Sequence, residues 1–522
     1  MKNRFVSILF VVLLAALMIF ITGCPRVQNK VPTVIKVSGP SGTISQRNST
    51  FSWNGSDPDG TITKYEYKKD GDSWVSSGTS KSYTWNGYSE GTHKFEVRAQ
   101  DNVGKYSESV YWNFEYSLHE KPPTITWQQF LGGSSEDGAY AVQQTDDGGF
   151  VVFGFTYSNN GNVSGNHGNN DFWVVKLDSS GSVQWQKCLG GSAEESGYLV
   201  EVGAKASIQQ TNDGGYVIVG FTFSNDGDVS GNHGSRDVWV VKLNNTGSIM
   251  WQRCLGGSNS DCGHSIQQTA EGGYIVAGHT GSNNGDVSGN HGGNDFWVVK
   301  LDSSGGIQWQ KCLGGSGGEW ATSVQQSSDG GYVIAGATDS NDGDVSGNHG
   351  GNDFWVVKLD SSGGIQWQKC LGGSNSDHAH SIKQTNDGGY VIVGFTFSND
   401  GDVSGNHGSR DVWVVKLDSS GSVQWQKCLG EYSYLDLAFS VKQTSDNGYV
   451  VAGLRASAKT SGISAILIKL DVSGNSSWQM CLDQSRKNLA FSVQQTNDSG
   501  YVVAGTYETY DECGDLWIIK LH

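Results

Sequence analysis

Between Ile125 and His522 the chain alternates short apolar runs with polar turns at a nearly fixed period. Tryptophans in the phrase "WQ" fall at 127, 185, 251, 309, 367, 425 and 478. Five of the gaps are close to 58 residues, and the longer one, after 185, holds the insertion around "YLVEVGAKA". Each period carries four strand-like pieces, for example "HSIKQT", "GGYVIVGFTF", "DVWVVKLD" and "GSVQWQKCLG". The third piece is apolar on both faces, as expected of a strand covered on each side. Polar clusters such as "NDGG" and "DSSG" separate the pieces and read as turns.

Four short strands repeated at this spacing predict the blades of an all-β propeller. Seven first strands can be counted, ending at Thr145, Thr211, Thr269, Ser327, Thr385, Thr444 and Thr496. The last repeat stops at "LWIIKLH" without a fourth strand, while "ITWQQFL" precedes the first repeat as a surplus one. Placing Ile125–Leu131 as the outer strand of the final blade completes seven blades and closes the ring by a strand swap. That closure leaves no sheet edge unpaired.

Ahead of the repeats, residues 31–118 show period-two alternation. Phe51 and Trp53 share one face, as do Phe95, Val97 and Ala99, and Val110, Trp112, Phe114 and Tyr116 follow. This pattern predicts a small antiparallel β-sandwich, joined to the repeats (125–522) by the linker 119–124. The chain begins with Lys2 and Arg4, an apolar run from Phe5 to Ile21, and "ITGC" ending at Cys24. Such a layout is that of a secretory signal rather than a spanning helix.

A net charge of −17 disfavours nucleic acid as a partner. Six of the nine cysteines occupy one repeated position, Cys188, Cys254, Cys312, Cys370, Cys428 and Cys481. Equivalent positions in successive repeats lie too far apart for a disulfide, so these are expected to be small buried apolar residues. Cys262 and Cys513 are left over.

The eleven-residue stretch "SNDGDVSGNHG" begins at Ser224, Ser340 and Ser398, with close variants at Ser158 and Ser282. It connects the second and third strands of a blade, on the rim that also carries the blade-to-blade links. Asp342, Asp344, Ser346 and Asp353 stand at positions one, three, five and twelve of a calcium-loop frame, with Gly347 at six. The same frame takes Asp226, Asp228, Ser230 and Asp237, then Asn284, Asp286, Ser288 and Asp295, then Asp400, Asp402, Ser404 and Asp411. The first copy, Asn160, Asn162, Ser164 and Asp171, has a single carboxylate. Two readings follow: calcium as a stabilising ion, or a metal-free turn, since Asp, Asn, Ser and Gly build turns through bonds to their own backbone. The loop histidines (167, 233, 291, 349 and 407) read as turn hydrogen-bonders, and the His378/His380 pair as chance.

Several resemblances extend this picture. Gly23-Cys24 resembles the lipobox of bacterial lipoproteins, which implies cleavage after residue 23, a lipid on Cys24, a tether over 24–30 and attachment to the cell envelope facing periplasm or exterior. Residues 31–118 resemble immunoglobulin-like and fibronectin type III domains, without the antibody-type cysteine pair. The repeats resemble bacterial β-propeller repeat proteins of the "DGGYVVAG…DFWVVKLDSSG" kind, and "LDSSGSVQW" is similar to the quinoprotein repeat. The calcium frame is similar to the hairpin loops of integrin-type propellers, which carry an acid at position nine, where Gly350 stands here. "TNDGGY" resembles the Asp-box hairpin of sialidase-type propellers, a structural element.

No nucleophile elbow, zinc-protease helix, phosphate-cradling loop or cofactor fingerprint is present. The expected function is a monomeric, non-catalytic envelope lipoprotein presenting the propeller to a protein or glycan ligand. The alternative is a carbohydrate-active propeller enzyme, glycosidase- or lyase-like, with two carboxylates at a fixed separation. Glu319-Trp320 and Tyr432 to Tyr434, in the non-identical links, are candidates for stacking a sugar.

Overall fold

The computed structural model describes residues 28–44, 48–117, 121–199, 204–432, 434–457, 462–482, 486–508 and 513–522. The apolar run expected to be a secretory signal, Cys24 and Leu118 lie outside them. All regular structure among the described residues is β. The chain divides into two compact units after Glu120.

The first unit has two sheets. Thr33–Ser38, Asn48–Ser56 and Ser82–Asn86 form one; the other runs Gly42–Ile44, Val110–Tyr116, Gly91–Asp101, Ile62–Lys69, Val75–Gly78. Gly42–Ile44 lies parallel to Val110–Tyr116, and the remaining pairings are antiparallel. The alternating aromatics meet in a shared core, where Phe51 stacks on Phe95 at 4.0 Å between the buried rings of Trp53, Trp85, Trp112 and Phe114. Stacked and edge-on aromatic pairs of this kind add to plain burial.

The second unit repeats one motif, a four-stranded antiparallel sheet in sequential order. Asp261–Gln268, Tyr274–Thr280, Asp295–Leu301 and Ile307–Leu313 show it most plainly. Equivalent sheets begin at Asp137–Gln144, Glu319–Gln326, Asp377–Gln384, Tyr434–Gln443 and Asn488–Gln495. In the second repeat the insertion splits the first strand into Glu195–Ser196 and Ser207–Gln210, both paired with Tyr216–Thr222. The last sheet takes its outer strand from the start of the unit: Ile125–Leu131 pairs with Gly514–Leu521, Trp127 opposite Lys520 and Phe130 opposite Trp517. Thr124 and His522 exchange two backbone hydrogen bonds of 2.9 Å beside this pairing.

Successive sheets pack face to face. Phe153, Phe172 and Val174 of the first sheet share a core with Tyr216, Ile218 and Trp239 of the second. The same arrangement recurs down the chain. Val502, Ala504, Leu516 and Ile518 of the last sheet then pack on Val152, Trp173 and Val175 of the first. Third strands such as "DFWVVKL" are buried at all seven positions because both their faces are covered. The outer-strand tryptophans bridge sheets, Trp185 meeting Tyr216 edge-on at 5.8 Å.

Eight cysteines among the described residues are free thiols. Cys188, Cys254, Cys312 and Cys370 are buried as expected, whereas Cys428 and Cys481 are only half-buried.

Candidate functional site

The five repeated loops meet the links that join one sheet to the next, and the four positions of the calcium frame have four different partners. At position one, the side-chain oxygen of Asp226 accepts the Ser192 backbone N–H at 2.7 Å. Asp342 and Asp400 do the same for Ser316 and Ser374. Asn160 and Asn284 take the same bond from Ser134 and Ser258, each at 2.9 Å. An acceptor is therefore needed here and a charge is not. The Ser316 N–H also holds the Asp342 carboxyl below its ordinary range.

At position three, Asp228, Asp286, Asp344 and Asp402 each face the N–H of the first link glycine at 3.3–3.4 Å. At position five, the Ser230 carbonyl and hydroxyl oxygens both accept from Gln252 Nε2, at 3.0 and 2.6 Å, and the other four loops repeat the pair. Gln252 Oε1 in turn accepts Trp239 Nε1–H at 2.9 Å. The recurring phrase "WQ" thus supplies the glutamine that clamps the loop to the buried tryptophan of the third strand. Sequence reasoning missed this pairing, although its constant spacing of 13 residues was visible.

At position twelve the aspartates are buried. Asp237 Oδ2 accepts both the His233 backbone N–H at 3.0 Å and its ring Nδ1–H at 2.6 Å. All five loop histidines make this contact with their aspartate, so they are indeed bound within the turn. For His349 the bond to Asp353 holds the imidazole above its ordinary value.

A calcium ion needs these oxygens to converge. Instead the oxygens at positions one and three are each directed at a backbone N–H, which presents positive charge where a cation would sit. Among the described residues no group of three or more His, Cys, Asp or Glu side chains gathers as a metal site.

The position-twelve aspartates have a neighbour that the sequence did not single out, the first acid of the following sheet. Asp261 accepts the Gly257 N–H at 2.7 Å and the Ser282 hydroxyl at 2.8 Å, and also the Thr280 hydroxyl. A Cβ placed on Gly256 would lie 2.6 Å from Asp261 Oδ2 and 2.8 Å from Asp237 Oδ1. The same two-acid approach surrounds Gly190, Gly314 and Gly372, through Asp171 with Glu195, Asp295 with Glu319, and Asp353 with Asp377. The first glycine of each "LGGS" link is thereby explained, since any side chain would strike this pair. Burial pushes the Asp353 carboxyl up to about 6, with Asp377 beside it adding to the effect. Burial likewise raises Glu195, Asp261, Glu319 and Asp377.

Glu319 is therefore a buried structural acid and not a sugar-facing one. Trp320 is half-buried, and Tyr432 stands 77 % exposed with its ring 6.0 Å from that of His407. Tyr157, Phe223 and Phe397, each the first residue past the end of a second strand, are also exposed on this loop-bearing rim. Arg410 lies over the Phe397 ring at 4.6 Å.

No protein-family model matches the chain, and a search of the curated proteins finds no match. Among solved structures the chain is similar to a quinoprotein alcohol dehydrogenase-like protein from Bacteroides thetaiotaomicron, with a TM-score of 0.39 and 10 % identity over 87 % of this chain and 97 % of that one. It is also similar to an endo-arabinase from the same organism (TM-score 0.28, 9 % identity, 49 % and 92 % covered). A third is a subtype N10 neuraminidase-like protein of a little yellow-shouldered bat influenza A virus (TM-score 0.32, 8 % identity, 76 % and 99 % covered).

Proposed function

We propose that this chain is an exported envelope lipoprotein, anchored through Cys24, whose seven-bladed propeller is a non-catalytic binding module. The sandwich of immunoglobulin or fibronectin type acts as its spacer. The pairing of Ile125–Leu131 with Gly514–Leu521, and the core joining the last sheet to the first, support a ring closed by strand exchange. The signal-like start and "ITGC" support export and lipidation.

One observation carries the binding reading. On the loop-bearing rim the repeated acids are occupied in tying links to loops, while Tyr157, Phe223, Phe397 and Tyr432 are turned out to solvent. Flat rings beside Asn, Ser and His hydrogen-bonders suit the apolar face and hydroxyl edge of a sugar. The carboxylates that the repeats bring together lie buried beneath the links, out of a substrate's reach. Metal-free loops are part of this reading, the calcium frame being satisfied by backbone N–H groups.

A glycan-array screen of the purified chain, run beside a reducing-sugar release assay, tests it. Binding without turnover, weakened by Tyr432→Ala and Phe397→Ala, is the expected result. Turnover abolished by a single acid-to-amide change would establish the enzyme instead.

A further inference from the structure

The first strands of all seven sheets line a central cavity of about 290 Å³, and their side chains form layers around it. One layer takes the same position from each repeat: Gln143, Gln209, Gln267, Gln325, Lys383, Lys442 and Gln494. Five repeats place a glutamine here and two place a lysine.

The glutamines are oriented by the backbone. Gln143 Oε1 accepts the Gln210 N–H at 2.7 Å, and Gln209, Gln267, Gln325 and Gln494 accept the equivalent N–H of the following sheet at 2.6–2.9 Å. A backbone N–H can be met only by the amide oxygen, so every Nε2 in the layer is left as a donor. In the next layer Ser207, Ser265, Ser323, Ser440 and Ser492 also accept backbone N–H groups through Oγ. Their hydroxyl hydrogens remain to be given.

Three amines complete the lining. Lys383 and Lys442 belong to adjacent sheets, and Lys205 reaches across from the insertion in the second repeat until its Nζ lies 5.7 Å from the ring centre of Phe439 and 5.9 Å from that of Phe491. Lys205 Nζ is buried with no hydrogen-bond partner. No Asp or Glu is among the residues lining the cavity, in a chain whose net charge is −17. Buried cations are ordinarily paired. Here three amines and a wall of N–H and O–H donors face one space whose lining holds no carboxylate.

We propose that this cavity binds a small oxyanion of the phosphate or sulfate class, with Lys383, Lys442 and Lys205 supplying charge and the glutamine Nε2 groups supplying directed hydrogen bonds. An oxyanion offers acceptors in several directions and so matches donors arriving from a surrounding wall. Chloride has the charge without that multiplicity of oxygen acceptors. Burial and the neighbouring Lys442 lower the Lys383 ammonium to about 7. An anion held beside it reverses that shift, and binding therefore takes up protons near neutral pH.

The repeats themselves supply the neutral variant. Glutamine already occupies this position in five sheets, so Lys383→Gln together with Lys442→Gln removes charge without an untried shape. Calorimetric titration of the full chain at constant ionic strength, with inorganic phosphate, sulfate and chloride in separate runs, reads the result. The expectation is one oxyanion per chain, no comparable chloride binding, and affinity at least tenfold weaker in the double variant. Lys187→Gln, at an exposed position, should bind as the parent does. Equal affinity in the double variant, an equal loss in Lys187→Gln, or no oxyanion binding by the parent chain would each overturn the proposal.

Discussion

Asp237 Oδ1 and Asp261 Oδ2, from successive sheets, approach the same point above Gly256. Each carboxylate is bonded on its other side, Asp237 to His233 and Asp261 to Thr280, yet Asp237 Oδ1 itself has no partner. The chain departs from this arrangement in one informative place. Where the sixth sheet meets the seventh, Ser464 replaces the third-strand aspartate and Asn488 replaces the acid, its Oδ1 accepting the N–H of the adjoining Ala465 at 2.5 Å. The two acids vanish together, as they should if each existed only beside the other. At the preceding junction Asp436 is instead neutralised by Arg455 Nε at 2.8 Å.

These pairs set a pH dependence with a definite sign. An acid whose folded pKa is raised adds stability that is complete below its unfolded value and lost as pH rises through the folded one. For Asp353, facing His349, Asp377 and Asp402, that window runs from 3.8 to about 6. The hairpin acids act oppositely. Burial alone would raise Asp329, but the Lys358 ammonium at 2.8 Å and the Ser327 hydroxyl bring it down to about 2, so its contribution is lost only in strong acid. The melting temperature is therefore expected to peak in mild acid and to fall as the pH rises towards about 6. Asp353→Asn should flatten that fall and stabilise the chain at pH 8, by up to ~3 kcal/mol for a shift of about two units. A melting temperature that rises steadily from about pH 4 to 6 would count against this account of the paired acids.

Calcium should leave the chain's stability unchanged. A ligand that binds only the folded state raises the melting temperature by mass action, so a chelated sample titrated with millimolar calcium is a sensitive test. Asp342→Asn should likewise alter stability by less than ~0.5 kcal/mol, because Asn160 and Asn284 already make the same bond. A melting temperature that climbs with calcium, and fails to climb in Asp342→Asn, would restore the ion.

The repeat period made the four-stranded sheets legible, because apolar runs of strand length and "DGG" turns are local signals. The partners of the loop acids were not legible in the same way. Oxygen spacing of one, three, five and twelve is shared by a calcium loop and by a loop laid across a link, and only the position of Gly190 or Gly256 against Asp228 or Asp286 separates them. The cavity had a readable sign that went unused. Aligning "HSIKQT" and "FSVKQT" with the other repeats exposes Lys383 and Lys442 as two cations in a glutamine position. Strand alternation alone does not tell that seven such positions face one space.

Two turns carry a removable strain. Five hairpins between first and second strands place a glycine at positive φ, such as Gly148 at 79° and Gly388 at 80°, whereas the sixth and seventh use Asn447 at 64° and Ser499 at 68°. A left-handed conformation costs an ordinary L-residue roughly 1–2 kcal/mol and asparagine less. Ser499→Gly should stabilise by about 1 kcal/mol and Asn447→Gly by a few tenths, read as shifts in denaturant midpoint at constant slope. A destabilising Ser499→Gly would mean that this turn is held differently.

The closing strand offers the most direct test of the ring. Trp127 is half-buried, sits edge-on to Phe150 of the first sheet at 5.6 Å, and packs on the core shared by the last and first sheets. It therefore covers the junction where the two ends of the repeat region meet. If Ile125–Leu131 closes a ring, removing this ring contact loosens the first sheet and the last together. Trp127→Ala should cost roughly 2–3 kcal/mol, somewhat below a fully buried tryptophan. Hydrogen exchange should then accelerate in Gly514–Leu521 and in Phe150–Thr156 alike, while Tyr332–Thr338, across the unit, stays protected. Acceleration confined to Ile125–Leu131, with the last strand still protected, would show that the ends hold without each other and that the repeats do not depend on closure.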